Sequence, residues 1–271
     1  MTNRLIGVAG VLVAAMACST VSHAWQSWHG GGAYTVLYRS AWRDGIDPRL
    51  TIQAPAPDSV STVAMPQFNG VALKTTMRRS DDFSAVASGT PRAEIVFAPV
   101  VHFAVGKEYE VRWSTLIPPG YRFDTRQPEI ITQLHQGGAT GSPPFALLLV
   151  GDQYQADVRG GASGANRSVK FGAPAADAGN AVNWVLRYRP DDEGTQALTE
   201  LYKDGVRVLH STGMANAYPG DKDAYLKIGI YKWWWKSRPS DVSDRTMYYG
   251  NVEIAERGEV RRAGPAEGSR R

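Results

Sequence analysis

Apolar residues in this chain recur in short runs rather than at helical spacing. The runs are rich in Val, Ile, Tyr and Trp and are separated by Gly, Pro, Asn and Asp, the pattern of an all-β protein. They predict strands over 93–97, 109–116, 129–134, 145–150, 183–188, 198–202, 206–210, 225–231 and 247–254. In 109–116, Tyr109, Val111, Trp113 and Thr115 alternate with Glu110, Arg112 and Ser114, which predicts a half-buried strand with one wet face. Asp204-Gly205 reads as a hairpin turn, because type I′ turns need positive φ. Pro118-Pro119-Gly120 closes a strand, and the stretch 160–164 (Gly-Gly-Ala-Ser-Gly) reads as a surface loop. No repeat or linker divides the body. The architecture that fits is a two-sheet antiparallel β-jelly-roll sandwich, whose concave sheet forms a groove suited to a linear polymer.

The two ends follow different rules. Arg4, the apolar run 5–17 and Ser22-His23-Ala24 before Trp25 read as a secretory signal peptide over 1–24. Ala15-Met16-Ala17 is a poor lipobox, which disfavours lipidation of Cys18. The expected location is therefore secreted or periplasmic, with no membrane contact after cleavage. The folded domain is expected over 25–256, and 257–271 reads as a polar, disordered tail.

Cys18 is the single cysteine of the 271 residues, so the mature chain has no disulfide and no thiol chemistry. Losing Arg4 brings the net charge from +4 to +3. That is too little to signal nucleic acid, yet it suits an anionic substrate. Eight Trp and twelve Tyr suit a surface that handles flat or sugar-like ligands.

Phosphate-binding, dinucleotide, zinc-protease and nucleophile-elbow motifs are all missing from the sequence. So is a run of closely spaced carboxylates. Glu253 and Glu256 would point to opposite faces of a strand, which disfavours a glycoside hydrolase. Three other segments stand out. Arg92-Ala93-Glu94 opens a strand and Gln133-Leu134-His135 closes one. In 225–231, Tyr225, Lys227, Gly229 and Tyr231 share one face, with Gly229 leaving room for a ligand.

In that order, these segments resemble the jelly-roll polysaccharide lyases, the heparin lyase I-like, glucuronan lyase and alginate lyase families. The resemblance covers roughly 91–254. It is nearest to the heparin lyase I-like and glucuronan lyase branch, through Gln133-Leu134-His135 with Ser142-Pro143-Pro144 and through Lys227-Ile228-Gly229-Ile230-Tyr231. It implies β-elimination at a uronic acid. Two departures make alginate the less certain substrate. Ala93 stands where alginate lyases often carry Ser or Thr, and Lys232-Trp233 replaces their x-Gln after the tyrosine.

The chemistry explains the residue types. The C5 proton of a uronate is too weakly acidic to remove while the neighbouring carboxylate is charged, so that group must be neutralised and the enediolate stabilised. Gln133 can donate an amide N–H and Arg92 a charged fork. A base must take the C5 proton and an acid must protonate the departing O4. Tyr231 is the candidate acid and could serve as base as well, since in glucuronate and mannuronate both atoms lie on one side of the ring. Lys227 supplies a cation on the same face. His135 is the alternative base, or a neutral donor to the carboxylate, and the sequence leaves the two open.

The plainer readings are an Arg92–Glu94 structural ion pair, with Glu94 the more structural of the two, and a half-buried strand aromatic at Tyr231. Tyr225, Trp233, Trp235 and Arg159 are candidate substrate contacts, although at least one residue of Trp233-Trp234-Trp235 should pack inward. His29, His102 and His210 read as ordinary. A non-catalytic carbohydrate-binding jelly roll would keep the groove without needing Tyr231 or His135. No cofactor and no metal ligand is expected, although loop carboxylates could hold a structural Ca²⁺. The expected partner is an anionic polysaccharide, and the chain is expected to be a monomer.

Overall fold

The computed structural model describes residues 34–138 and 141–258. The expected signal peptide, Cys18 and the tail from 259 onward lie outside the described residues. The chain runs through β1 (Tyr34–Arg39), β2 (Thr51–Gln53), β3 (Val60–Met65), β4 (Gly70–Arg78), β5 (Arg92–Val96) and β6 (Tyr109–Leu116). It continues through β7 (Glu129–His135), β8 (Phe145–Val150), β9 (Gln153–Gly160), β10 (Ala165–Phe171) and a single helical turn, α1 (Pro174–Asp177). Then come β11 (Ala181–Arg189), β12 (Leu198–Lys203), β13 (Val206–Thr212), β14 (Tyr225–Tyr231), β15 (Asp244–Tyr249) and β16 (Glu253–Arg257).

The strands form two antiparallel sheets, the jelly-roll architecture expected. The larger runs β13-β12-β11-β6-β15-β4-β3, with β16 also on β6 and β1 beyond it; the smaller runs β10-β9-β8-β7-β14-β5-β2. Between them lies one core. The smaller sheet contributes Ala93, Ile95, Ile131, Leu134, Leu147, Leu226, Ile228 and Ile230, and the larger Leu73, Val111, Trp113, Trp184 and Met247. Because β-strand side chains alternate, the polar residues between these face the other side of the smaller sheet.

Several details differ from the sequence reading. Strand β6 is buried along its whole length, not half-wet. Its outer residues Glu110 and Arg112 pair with each other at 2.5 Å, and long side chains on β11 and β16 flank them in register, such as Arg187 and Glu253. The run expected at 247–254 is two strands, β15 and β16. Between them Gly250 N–H donates to Ser114 O at 3.0 Å and Asn251 Oδ1 accepts from Trp42 N at 3.1 Å. Arg257, assigned to the tail, is the last residue of β16 and donates its backbone N–H to Glu108 O at 2.8 Å. Gly160 ends β9 rather than opening a loop. Asp204 and Gly205 take φ of 47° and 82°, as the hairpin between β12 and β13 requires.

Two bulges shape the smaller sheet. From Ile228 to Tyr231 is three steps on β14, matched by two on β7 (Thr132 to Ile130) and one on β8 (Leu147 to Leu148). The mismatch bends and twists the strands there.

Candidate active site

The sequence Tyr-Leu-Lys-Ile-Gly-Ile-Tyr on β14 sends Leu226, Ile228 and Ile230 into the core and leaves Tyr225, Lys227, Gly229 and Tyr231 on the outer face. Its neighbours add Arg92 and Glu94 from β5 and Gln133 and His135 from β7. The three segments singled out in the sequence therefore meet on one face.

At the centre is a buried polar network. Glu94 is 1% exposed, and its Oε2 lies 3.3 Å from Arg92 Nη1 and 3.8 Å from Lys227 Nζ. Gln133 Nε2 donates to Glu94 Oε1. Gln53, from β2, accepts at its Oε1 from Lys227 Nζ at 3.0 Å and from Arg92 Nη1 at 3.4 Å. Arg92 Nη2 also donates to Thr90 Oγ1. Two cations face one carboxylate, leaving one formal positive charge in excess. Burial pulls the Lys227 ammonium below the usual lysine range, and Glu94 opposes that pull.

His135 and Tyr231 flank this network. His135 stacks on Tyr225 with centroids 5.3 Å apart. Its Nδ1 lies 2.7 Å from the Gln136 carbonyl, which can only accept, so Nδ1 carries the proton and Nε2 keeps its lone pair. Burial, and then the charge of Lys227, push His135 below the usual histidine range, which favours the neutral form. Burial also pushes Tyr225 up, so its phenol stays protonated. Tyr231 pairs in register with Arg92, whose guanidinium carbon lies 4.0 Å from the ring centre. The Tyr231 row crosses β8 at Leu148, while the His135 end of β7 lies beside Phe145.

The sequence matches the polysaccharide lyase family over residues 23–253. The chain belongs to that family. No curated protein sequence matches it. Among solved structures, endo-β-1,4-glucuronan lyase from the fungus Trichoderma reesei is similar, with 17% identity and a TM-score of 0.65 over 81% of this chain and 95% of that one. Alginate lyase A1-II′ is similar with 13% identity and a TM-score of 0.53, over 78% and 95%. Alginate lyase PA1167 from Pseudomonas aeruginosa gives 13% and 0.50, over 77% and 99%. At these identities the likeness is one of fold.

Beyond the three segments, the lyase departs from the sequence reading at several places. Trp235 is fully buried, with Nε1 donating to Ser240 Oγ at 3.1 Å and Val242 O at 3.2 Å, so it cannot touch a polymer. The chain turns after Tyr231, with Trp235 N–H on Lys232 O at 2.9 Å, so strand alternation no longer applies. Trp233 does lie on the groove face, packed on Ile130, Ala146 and Leu148. Arg159 lies on β9 on that face too, but pairs with the buried Asp157. Gly229 is required for a reason other than room for a ligand. Its φ is +131°, and a Cβ there would sit 2.2 Å from the Ala93 carbonyl oxygen of β5.

Two features of the lyase were missed. Gln53 is a lone glutamine on a three-residue strand and gave no signal. Lys232 is fully buried behind Tyr231, 2.9 Å from Asp124 Oδ2 and 3.8 Å from Glu129 Oε2, and its backbone N–H donates to Pro91 O at 3.0 Å. Burial alone would push Asp124 up, but hydrogen bonds from Ser240 and Lys232 outweigh it and hold Asp124 at about 2. Arg245 Nε closes the cluster on Glu129 at 2.7 Å.

Proposed function

We propose that this lyase cleaves a uronic-acid polymer by β-elimination, leaving a C4–C5 unsaturated uronate at the new non-reducing end. The observation that carries the reading is the buried Arg92–Glu94–Lys227–Gln133 network, with its excess positive charge lying between Nε2 of His135 and the Tyr231 phenol. A uronate carboxylate set over that charge is neutralised and its C5 proton becomes removable. Arg92 and the first amide N–H of Gln133 are engaged with Glu94, and Gln133 and Lys227 are 0% and 1% exposed, so the network is assigned to act on the substrate carboxylate through its charge rather than through a direct contact. Tyr231 gives its proton to O4, and the neutral His135 or Tyr231 itself takes the C5 proton. Tyr225 and Trp233 line the sugar path.

The polymer is assigned as glucuronan-like or alginate-like, with heparin-type chains next; glucuronan and alginate are what the similar lyases are named for. A modest +3 is less suited to dense sulfation. Residues 1–24 are assigned as a secretory signal that delivers a monomer to the periplasm or beyond. The protein cations fill the neutralising role, so no cofactor is needed. The test is ultraviolet absorbance near ~232–235 nm, where the conjugated product of the elimination absorbs, on glucuronan, polymannuronate, polyguluronate, heparin, heparan sulfate and hyaluronan. A rise on one polymer, undiminished by a chelator, supports the assignment. Reducing sugar without absorbance overturns it in favour of hydrolysis, and binding without either product overturns it in favour of a carbohydrate-binding protein.

A further inference from the structure

The aromatic surface does not stop at Tyr231. Trp233 packs against it with ring centroids 5.6 Å apart, over the apolar floor formed by Ile130, Ala146 and Leu148. Trp234 follows, 5.2 Å from Trp233 and tilted 57° to it. It is 37% exposed, unlike Trp42, Trp113, Trp184 and Trp235, which are all in the core.

A cation lies on this ring. The Arg238 guanidinium carbon is 3.6 Å from the Trp234 centroid, and no carboxylate among the described residues forms an ion pair with it. Neighbouring cations are held by main-chain carbonyls instead. Arg79 donates to Trp235 O and Arg238 O, each at 2.8 Å. Lys236 donates to Arg79 O at 2.8 Å and Asp81 O at 3.1 Å. An exposed indole beside an unpaired guanidinium suits a ring with an apolar C–H face and an anionic substituent. Stacking on the indole fixes the plane of Arg238 and leaves the N–H edge of its fork free for a carboxylate.

We propose that Trp234 and Arg238 form a distal subsite for an anionic sugar unit of the same polymer chain, beyond the sugars that Tyr231 and His135 contact. This rests on the uronate-lyase reading above. The subsite touches no reacting atom, so its contribution is affinity for chains long enough to reach it.

Trp234→Ala and Arg238→Gln test this without dismantling the turn. Its hydrogen bonds from Ser237 N (3.1 Å) and Arg238 N (2.9 Å) end on Trp234 O, and those from Arg79 and Gln127 end on Arg238 O, so all use main-chain acceptors. The measurement is kcat/KM on a trimer and an octamer of the polymer that the wild type cleaves. In each variant the octamer-to-trimer ratio is expected to fall about tenfold, the scale of one aromatic or charged contact. An unchanged ratio in both variants overturns the subsite and leaves the proposed reaction standing. A wild type that releases no absorbing product from any uronate polymer overturns the reaction, and the subsite with it.

Discussion

The guanidinium carbon of Arg92 sits 4.0 Å from the centre of the Tyr231 ring, on adjacent strands whose register pairs the two residues. The same guanidinium reaches Glu94 at 3.3 Å. One cation thus fixes both the phenol and the carboxylate that organises the groove floor. Removing the phenolic oxygen while keeping the ring isolates its chemical role. Tyr231→Phe is expected to lower kcat by roughly 10³-fold, within the range for loss of a general acid–base group. Binding of the intact polymer, measured by titration calorimetry, should change little.

Glu94 is the carboxylate set between the buried cations Arg92 and Lys227. Glu94→Gln leaves Arg92 and Lys227 facing each other without it. A loss of about 3 kcal/mol is expected in denaturant unfolding, the scale for breaking a buried pair. Turnover should fall with it, because a neutral amide has one acceptor oxygen, where the carboxylate had two, to hold Arg92 and Gln133 in place.

The pH profile follows from two depressed pKa values. The proposed reaction uses His135 in its neutral form, and burial with Lys227 lowers its pKa, so with His135 as the base activity should persist below the ordinary histidine value of about 6.5 before it falls. The proposed reaction needs Lys227 charged, and its pKa is also depressed, so the alkaline limb should begin below the ordinary lysine value of about 10.4. kcat/KM against pH checks both. His135→Gln should remove the acid limb if His135 is the base and leave it in place if Tyr231 is.

Asp124 links stability to acid. Its carboxyl is held at about 2, against an ordinary 3.8, by groups it meets only in the folded chain. The stabilisation is full above pH ~4 and is lost as pH falls through about 2, a change of roughly 2 kcal/mol. Urea unfolding from pH 5 to pH 2 should show this slope, and Asp124→Asn should flatten it while lowering stability throughout.

Gly229→Ala places a methyl 2.2 Å from the Ala93 oxygen at a φ of +131°. A lowered Tm and impaired turnover are expected together, since β5 and β14 must separate where Gly229 pairs with Glu94, beside the Arg92–Tyr231 pair.

Much of this site was legible because β14 alternates so regularly. Leu226, Ile228 and Ile230 declare one face, so Lys227 and Tyr231 must share the other. The same rule misled at Trp235, because alternation ends where the backbone turns and Trp235 N–H bonds Lys232 O. Strands β9 and β10 escaped notice since Gln155, Asp157, Arg159 and Lys170 make them too polar for an apolar run, although Tyr154, Ala156 and Val158 do point inward. Glu94 looked like a structural partner of Arg92. That it also receives Gln133 and faces Lys227 depends on strand order, which local spacing does not encode. Gln53 was beyond reach for the same reason, as only the pairing of β2 with β5 brings it in.

That reliance on strand order carries over to how the groove comes into being. Gln53 and Lys227 touch although 174 positions separate them along the chain, and Glu94 and Gln133 are 39 apart. Non-local pairings of this kind carry a high contact order and form slowly. The charged floor cannot exist in a partly zipped sheet, since any intermediate without β7 or β14 leaves Glu94 short of partners. Enzyme activity is therefore a late and all-or-none reporter of assembly. Regain of turnover after dilution from denaturant should lag behind recovery of the far-ultraviolet β signal.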